Sequence, residues 1–338
     1  MNTFGRNFRC TTFGESHGPA LGVVVDGCPP GIPFSEEDVR PLLERRRPGT
    51  GILVSARREP DEVRILSGTF SGMTTGMPVA MAVGNRDVRS GDYEALKDVF
   101  RPGHADVTYA QKYGIRDYRG GGRSSGRETV ARVCAGALAL RVLEPHGIRI
   151  AGRAVEIGGV ADPASMEAAI LDAKDAGDSV GGIVEIVASG CPPGLGDPVF
   201  GKLDALLAAA MMGIGAVKGV EIGDGFAAAR MRGSEQNDPM TAAGFASNHA
   251  GGILGGISTG AEIVVRIAVK PTPSISLPQA TVDSRGRETE IRISGRHDPC
   301  IVPRIIPVAE SMAALVLADA LLENQKYRPY TQTQEPAR

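Results

Sequence analysis

Two histidines of this 338-residue chain stand in short segments whose composition suits chemistry better than regular structure. His17 lies in residues 12–18 (TFGESHG), and His104 lies in residues 101–106 (RPGHAD). Glycine brackets the first ring and Pro-Gly precedes the second, so both are predicted on loops, where catalytic side chains concentrate. Histidine titrates near physiological pH, so either ring could donate or accept a proton. Structural histidines in ordinary turns are the alternative, but two such loops beside arginine-rich segments favour function.

A third segment, residues 117–129 (DYRGGGRSSGRET), leads directly into a helix predicted over 128–143. Glycines let the backbone approach a ligand, and amides and hydroxyls at a helix start favour an anion. Arginines add planar donors that suit phosphate or carboxylate. A Ser-capped helix with a glycine hinge is the alternative, but the arginine density favours an anion site. Arginines 45–47 form a second cluster, for which a place at a helix C-terminus is a sufficient explanation.

The bulk composition excludes several classes of protein. The net charge of −2 and pI of about 6.3 argue against a generally basic nucleic-acid binder, and 4% aromatic residues disfavour base-stacking surfaces. Five cysteines without CxxC spacing predict neither a disulfide framework nor a metal site. No apolar signal segment opens the chain, and the apolar run 308–322 contains Glu310 and Asp319, which indicates a buried helix rather than a membrane span. A cytoplasmic enzyme without membrane contact is expected.

Hydrophobic patterns predict the elements that must hold these loops. Strands are predicted at 21–26, 182–189 and 263–269, and helices from an N-cap at Ser35 to Pro48 and at about 162–176, 202–212 and 303–324. The order strand, Gly-Cys-Pro-Pro-Gly, helix occurs at 27–31 and again at 190–194. It indicates an internal duplication, although Pro-Pro-Gly commonly ends strands and chance is the alternative. With no linker visible, one α+β domain is predicted over 1–324, followed by a polar tail at 325–338.

Long motifs spread over the chain resemble one family. They read, in order, FGESHG, RRRPGTG, RREPD, FRPGHAD, DYRGGGRSSGRET, GVEIGDGF, SNHAGGILGGIS, KPTPSI and GRHDPC, from about Phe13 to Leu322. Together they resemble the chorismate synthase family. The resemblance implies an anti 1,4-elimination of phosphate from 5-enolpyruvylshikimate 3-phosphate, the last step of the shikimate pathway, with reduced FMN required but not consumed. It also implies a helical layer between two antiparallel sheets with internal pseudo-symmetry, assembled as a homotetramer.

The resemblance also assigns roles to individual residues. His17 would protonate the flavin–substrate system, His104 would keep the reduced flavin in its productive protonation state, and Asp319 would act near the flavin N5. FMN contacts would come from Arg123, Ser124, Ser125, Gly215, Ala216, Gly255, Lys270, Pro271, Thr272, Pro273, Ser274 and Arg296. Substrate or NADPH anions would bind Arg46, Arg101 and Arg127, with NADPH as a candidate reductant.

Two departures from the family pattern bear on these roles. Ile52 stands near a position where many members carry another arginine, so one anion contact would be missing, and the segment 158–174 is shorter than in many members. Two other classes compete with the lyase. A flavin reductase would oxidise NADPH without substrate, and a non-catalytic phosphate-ligand binding protein would not need both His17 and His104.

Overall fold

The computed structural model describes residues 1–47, 61–85, 96–293 and 298–327. The helices in these ranges are α1 (Glu36–Arg46), α2 (Asp106–Tyr113), α3 (Thr129–Leu143), α4 (Pro163–Asp175), α5 (Leu203–Met212), α6 (Gly233–Gln236) and α7 (Val302–Asn324). The strands are β1 (Thr3–Phe4), β2 (Arg9–Gly14), β3 (Ala20–Asp26), β4 (Val63–Ser67), β5 (Thr69–Phe70), β6 (Met73–Thr74), β7 (Val79–Gly84), β8 (Arg149–Ile157), β9 (Gly182–Ser189), β10 (Val217–Ile222), β11 (Met240–Thr241), β12 (Gly244–Phe245), β13 (Ile253–Leu254), β14 (Ile257–Ser258), β15 (Ile263–Val269), β16 (Gln279–Val282) and β17 (Glu288–Ile291).

Two antiparallel sheets carry most of the strands. The first has the order β1-β2-β3-β7-β4, and the second has the order β10-β15-β9-β8. Helix α3 packs on β3 and β7 of the first sheet, helix α7 packs on β8 and β9 of the second, and the two helices pack against each other. Their contact is close, because a Cβ on Gly136 would lie only 2.2 Å from the Ser311 Cβ. The mixed arrangement confirms the predicted α+β class.

The order of elements in the first half of the chain returns in the second. The series β2, β3, α1, β4, β7, α3 is matched by β8, β9, α5, β10, β15, α7, and each strand takes the corresponding place in its sheet. The repeated Gly-Cys-Pro-Pro-Gly follows β3 and β9. Its first glycine has φ of +86° at Gly27 and +74° at Gly190, and each faces a backbone carbonyl just before the neighbouring strand. This shared topology favours duplication over chance.

The predicted helices are found close to their expected bounds. Helix α1 starts after Ser35, whose backbone N–H donates to the Asp38 carboxylate in a capping box. Helix α4 starts after Asp162, which accepts from the Ser165 amide. The segment Val302–Tyr327 is long and apolar enough to cross a membrane, but 83% of its most apolar window is buried in the fold. The prediction of a buried core helix is therefore confirmed, whereas α2 was not predicted.

Candidate active site

A cavity of about 1130 Å³ collects loops from both halves of the chain. Its walls include residues 12–15, 101, 103–105 and 123–129 of the first half, and 213–216, 270, 272–274 and the start of α7 from the second. Single-ligand pockets usually measure roughly 300–1,000 Å³. The volume therefore suits two ligands bound together better than one small molecule.

The glycine run of the third motif separates the two histidines. Gly120 has φ of +62°, and a Cβ built on it would lie 2.4 Å from the His17 Cδ2. Gly121 has φ of +83°, and its Cβ would lie 3.0 Å from the His104 Cε1. Positive φ and the missing side chains are both required here. The fold thus brings the two predicted rings against adjacent glycines of one short loop.

His104 is fixed by a buried carboxylate. Its Nδ1 lies 2.9 Å from Asp106 Oδ1, and Asp106 also accepts from Arg101 Nε at 2.7 Å and Nη2 at 2.9 Å. Burial raises the pKa of the Asp106 carboxyl, but the hydrogen bonds from Arg101 and His104 outweigh it and hold that pKa well below its usual value. With Asp106 ionised, His104 Nδ1–H donates and Nε2 is left as the ring's other polar atom. Arg101 also lines the cavity, and its guanidinium group is held in place by Asp106.

The cationic end of the cavity is built on Asp61. This buried carboxylate accepts from Arg46 Nη2 at 2.7 Å and from Arg127 Nη1 at 2.8 Å, and its backbone has φ of +46°. Burial raises the Asp61 pKa, but the two guanidinium groups outweigh it and lower the pKa overall. Burial lowers the pKa of Arg46 to about 10, with Arg304 and Arg127 adding to the effect and Asp61 opposing it. The guanidinium groups of Arg46, Arg127 and Arg304 therefore lie close together and form a positively charged region suited to binding an anion.

The remaining residues of the third motif also line the cavity. Arg123 donates from Nη2 to Thr12 Oγ1 at 2.7 Å, and Ser124 Oγ donates to the Gly121 carbonyl at 2.7 Å. Ser125 Oγ accepts from the Arg127 amide at 3.3 Å and caps the turn before α3. Ser125 therefore both caps a helix start and lines the cavity.

Loops of the second half close the other wall. Gly215, Ala216, Lys270, Thr272, Pro273 and Ser274 line the cavity. Ala216 has φ of +73°, a costly conformation for a residue with a side chain. Its carbonyl accepts from the Lys270 amide at 2.9 Å, while Lys270 Nζ donates to the Gly103 carbonyl at 2.6 Å. Lys270 thus ties this loop to the turn that carries His104.

Some predicted residues lie elsewhere. Gly255 is in the tight turn between β13 and β14, and neither it nor Pro271 is among the described residues that line the cavity. His17 is also outside that lining, although its ring lies against Gly120, which belongs to it. Arg296 and Ile52 fall outside the described residues.

Asp319 is not among the described residues that line the cavity. Its carboxylate accepts from the backbone amides of Arg6 at 3.0 Å and Phe8 at 2.8 Å, and from Asn7 between them. It therefore anchors the segment before β2, away from the described cavity lining. The carboxylate that does line the cavity near α7 is Asp298, which forms an ion pair with Arg304. The apolar run 313–322 predicts an enclosed setting for Asp319, its one carboxylate, which is half-buried, but the run does not show which groups contact it.

Besides Asp298, three functional candidates were missed in the sequence: Asp61, Asn85 and Asp106. Asp106 had a local signal, since it stands two residues after His104 in the same motif. Asp61 is the last residue of the RREPD motif, and nothing in the sequence indicates that its carboxylate contacts Arg46 or Arg127. Asn85 follows β7 and accepts from Arg127 Nε at 2.6 Å, a contact over 42 residues of chain that no local pattern announces.

These features are those of an enzyme whose arginine-rich cavity lies beside two loop histidines. The model of the chorismate synthase family matches residues 8–322. Chorismate synthases of Syntrophobacter fumaroxidans and Nitratidesulfovibrio vulgaris are 58% and 56% identical, over 95% of this chain and 97% and 98% of their own lengths. A crystal structure of chorismate synthase has a TM-score of 0.74 at 33% identity, covering 95% of this chain and 93% of that one. The chain therefore belongs to the chorismate synthase family and is a carbon–oxygen lyase of the shikimate pathway.

Proposed function

We propose that the cavity binds reduced FMN and 5-enolpyruvylshikimate 3-phosphate side by side and supports the anti 1,4-elimination of phosphate that forms chorismate. The observation that carries this proposal is the position of Gly120 and Gly121 between His17 and His104 at the wall of one large cationic cavity. Such a space can hold a flat cofactor beside a substrate that carries three anionic groups, with a proton-transferring side chain next to both.

The polar groups of the cavity fit a bound cofactor. Thr272 and Arg46 both line the cavity. The Thr272 Oγ1 and Arg46 Nε atoms are buried and have no hydrogen-bond partner among the described residues. Buried polar atoms normally have a partner, so a ligand is a natural one. Arg123, Ser124, Ser125, Gly215, Ala216, Lys270, Thr272, Pro273 and Ser274 would hold FMN. Reduced FMN, when bound, supplies electron density as the C–O bond breaks and regains it as the C6 hydrogen leaves.

The substrate would bind at the arginines. Its phosphate and carboxylates match the guanidinium groups of Arg46 and Arg127, whose positions are set by Asp61. Arg101 would add positive charge from a guanidinium that Asp106 already orients. These cations would also stabilise the departing phosphate.

The two histidines would have different tasks. His17, in a turn beside Gly120, would donate a proton to the flavin–substrate system. His104, whose ring is oriented by the Asp106 carboxylate on Nδ1, would keep the reduced flavin in its productive protonation state. Asp298, which lines the cavity as Asp319 does not, would supply a carboxylate near the cofactor.

The wider proposal includes a cytoplasmic homotetramer whose helices form a layer between two pseudo-symmetric sheets. The matched strand orders support the pseudo-symmetry, and the packing of α3 and α7 on different sheets supports the layer. Exposed apolar side chains such as Phe70 and Met77 are the kind of surface that subunit contacts cover. NADPH remains the candidate reductant.

An anaerobic assay tests the cofactor. Chorismate should form from substrate with catalytic amounts of chemically reduced FMN, and the flavin should still be reduced afterwards. Full turnover with oxidised FMN and no reductant would contradict the proposal. Replacing the chemical reductant with NADPH then shows whether the chain reduces its own flavin, because chorismate forms in that mixture only if it does.

A further inference from the structure

Asn85, immediately after β7, contacts both the loop that carries His17 and the guanidinium of Arg127. Its Nδ2 donates to the carbonyls of Glu15 at 3.0 Å and Gly18 at 2.8 Å. Its Oδ1 accepts from Arg127 Nε at 2.6 Å. Both polar ends of the amide are therefore committed, one to the turn and the other to the arginine.

The two carbonyls that Asn85 holds are the two ends of the His17 turn. The Gly18 amide donates to the Glu15 carbonyl at 3.0 Å, which closes the turn around Ser16 and His17. The Asn85 backbone amide donates to the Pro19 carbonyl at 3.1 Å, so the turn is also fastened to the strand end. Asn85 thus fastens both ends of the His17 turn to the first sheet, while Ser16 ties the same turn to Gly120 and Gly122.

Arg127 is fixed on its other edge by Asp61, which also holds Arg46. A continuous series of hydrogen bonds therefore runs from the His17 turn through Asn85, Arg127 and Asp61 to Arg46. An anion bound at the arginines and a proton delivered by His17 would be placed relative to each other by this series. Placement errors of about 1 Å in such a site can cost roughly 10²-fold in rate.

We propose that Asn85 is a positioning residue for the elimination, setting the His17 turn against the anion-binding Arg127. The inference rests on the proposed roles of His17 and Arg127. An amide suits the task because it donates on one side and accepts on the other. A carboxylate can accept from Arg127 but cannot donate to two carbonyls, and an aliphatic side chain can do neither.

Two substitutions separate the two contacts. Asn85→Asp keeps the acceptor for Arg127 and should leave the substrate KM within about twofold, while kcat falls about tenfold or more as the turn loses its anchor. Asn85→Leu, similar in size, should lower kcat and also raise KM. Asn248→Asp is the matched control. Asn248 likewise bridges a loop, donating to the Glu262 carbonyl at 2.8 Å and accepting from the Gly252 amide at 2.7 Å, so its variant should keep both constants within about twofold.

A double-mutant cycle with His17→Ala distinguishes positioning from general support of the fold. In the His17→Ala background, Asn85→Asp should lower kcat by less than about twofold, since its effect acts through the missing ring. The same loss in both backgrounds would overturn the role of Asn85 while leaving that of His17 intact. Parental turnover by His17→Ala alone would instead remove the catalytic role of His17 and, with it, the inference. FMN affinity and Tm measured for every variant show that the compared proteins are folded.

Discussion

His17 and His104 lie beside the same glycine loop, but they are held there by different kinds of group. His104 Nδ1 contacts the buried, ionised Asp106 at 2.9 Å, and two arginines surround that carboxylate. The turn that carries His17 is held by the neutral amide of Asn85. The two supports therefore differ: a carboxylate contacts the His104 ring itself, whereas a neutral amide contacts the backbone of the His17 turn.

The carboxylates beside the two histidines also differ. Asp106 is hydrogen-bonded to His104 and lies at the start of α2. Burial raises the pKa of the Asp117 carboxyl, but the Arg119 hydrogen bonds of 2.9 Å from Nε and 3.0 Å from Nη2, together with the charge of His17, lower that pKa overall. The comparison teaches that two histidines in similar sequence settings can be positioned by different contacts, one through its ring and the other through the backbone of its turn, and the following experiments test that difference.

The largest effect is expected from removing the proton-donating ring. His17→Ala should lower kcat by about 10²–10⁴-fold, the usual contribution of a general acid, with FMN affinity little changed. His104→Ala should also lower turnover more than it weakens FMN binding, but by a smaller factor than His17→Ala. Steady-state kinetics at saturating substrate and reduced FMN measure both. If the two variants match the parent, neither ring has the task assigned to it.

Substitution of Arg127 tests the anion-binding part of the site, where Asn85 contacts the Arg127 side chain. Arg127→Ala should raise the substrate KM about tenfold to a hundredfold, because a hydrogen bond to a charged group contributes about 1.5–3 kcal/mol. Arg127→Lys should recover only part of the loss, since lysine supplies the charge without the planar fork. Arg141→Ala, in the last turn of α3, is the control and should not alter KM. Unchanged saturation curves for both Arg127 variants would make it a structural residue of the helix start.

Asp106 tests the charged support of His104. Asp106→Asn should lower turnover about tenfold, as one partner of a charged hydrogen bond is lost. It should also change the pH dependence of stability. The folded protein depresses the Asp106 pKa, so the carboxylate stabilises the fold above the ordinary aspartate value of about 3.9, and this contribution is lost as the pH falls further.

Chemical unfolding at several pH values measures this dependence. The difference in unfolding free energy between parent and Asp106→Asn should be largest at neutral pH and shrink in acid. A difference that stays constant with pH would mean that the Asp106 charge does not stabilise the folded state.

The smallest effect on turnover is expected at Asp319. Asp319→Asn should keep kcat within about twofold and reduce the free energy of unfolding by about 1–3 kcal/mol, because amides 6–8 would lose their charged acceptor. Asp298→Asn is the informative comparison, since Asp298 lines the cavity and should lower turnover more. A folded Asp319→Asn protein with severely reduced kcat would return the catalytic role to Asp319.

The sequence by itself determined the parts that depend on neighbours along the chain. Side-chain periodicity and caps located α3, α4, α5 and α7, because helices form from contacts three and four residues apart. The same local information placed His17 and His104 on loops and carried the family resemblance. Asp106 could also have been identified from the sequence, since it stands two residues after His104 in the same motif.

Tertiary structure alone decided the partners that set the chemistry. Arg127 meets Asn85 and Asp61 across 42 and 66 residues of chain, and Asp319 meets the Arg6 amide across 313. Periodicity can indicate that such a group is enclosed, but the identity of its partner depends on how separate elements pack. For that reason the sequence did not show that Asp298, rather than Asp319, lines the cavity. The left-handed backbone of Ala216 is equally a product of packing, because an isolated chain disfavours it.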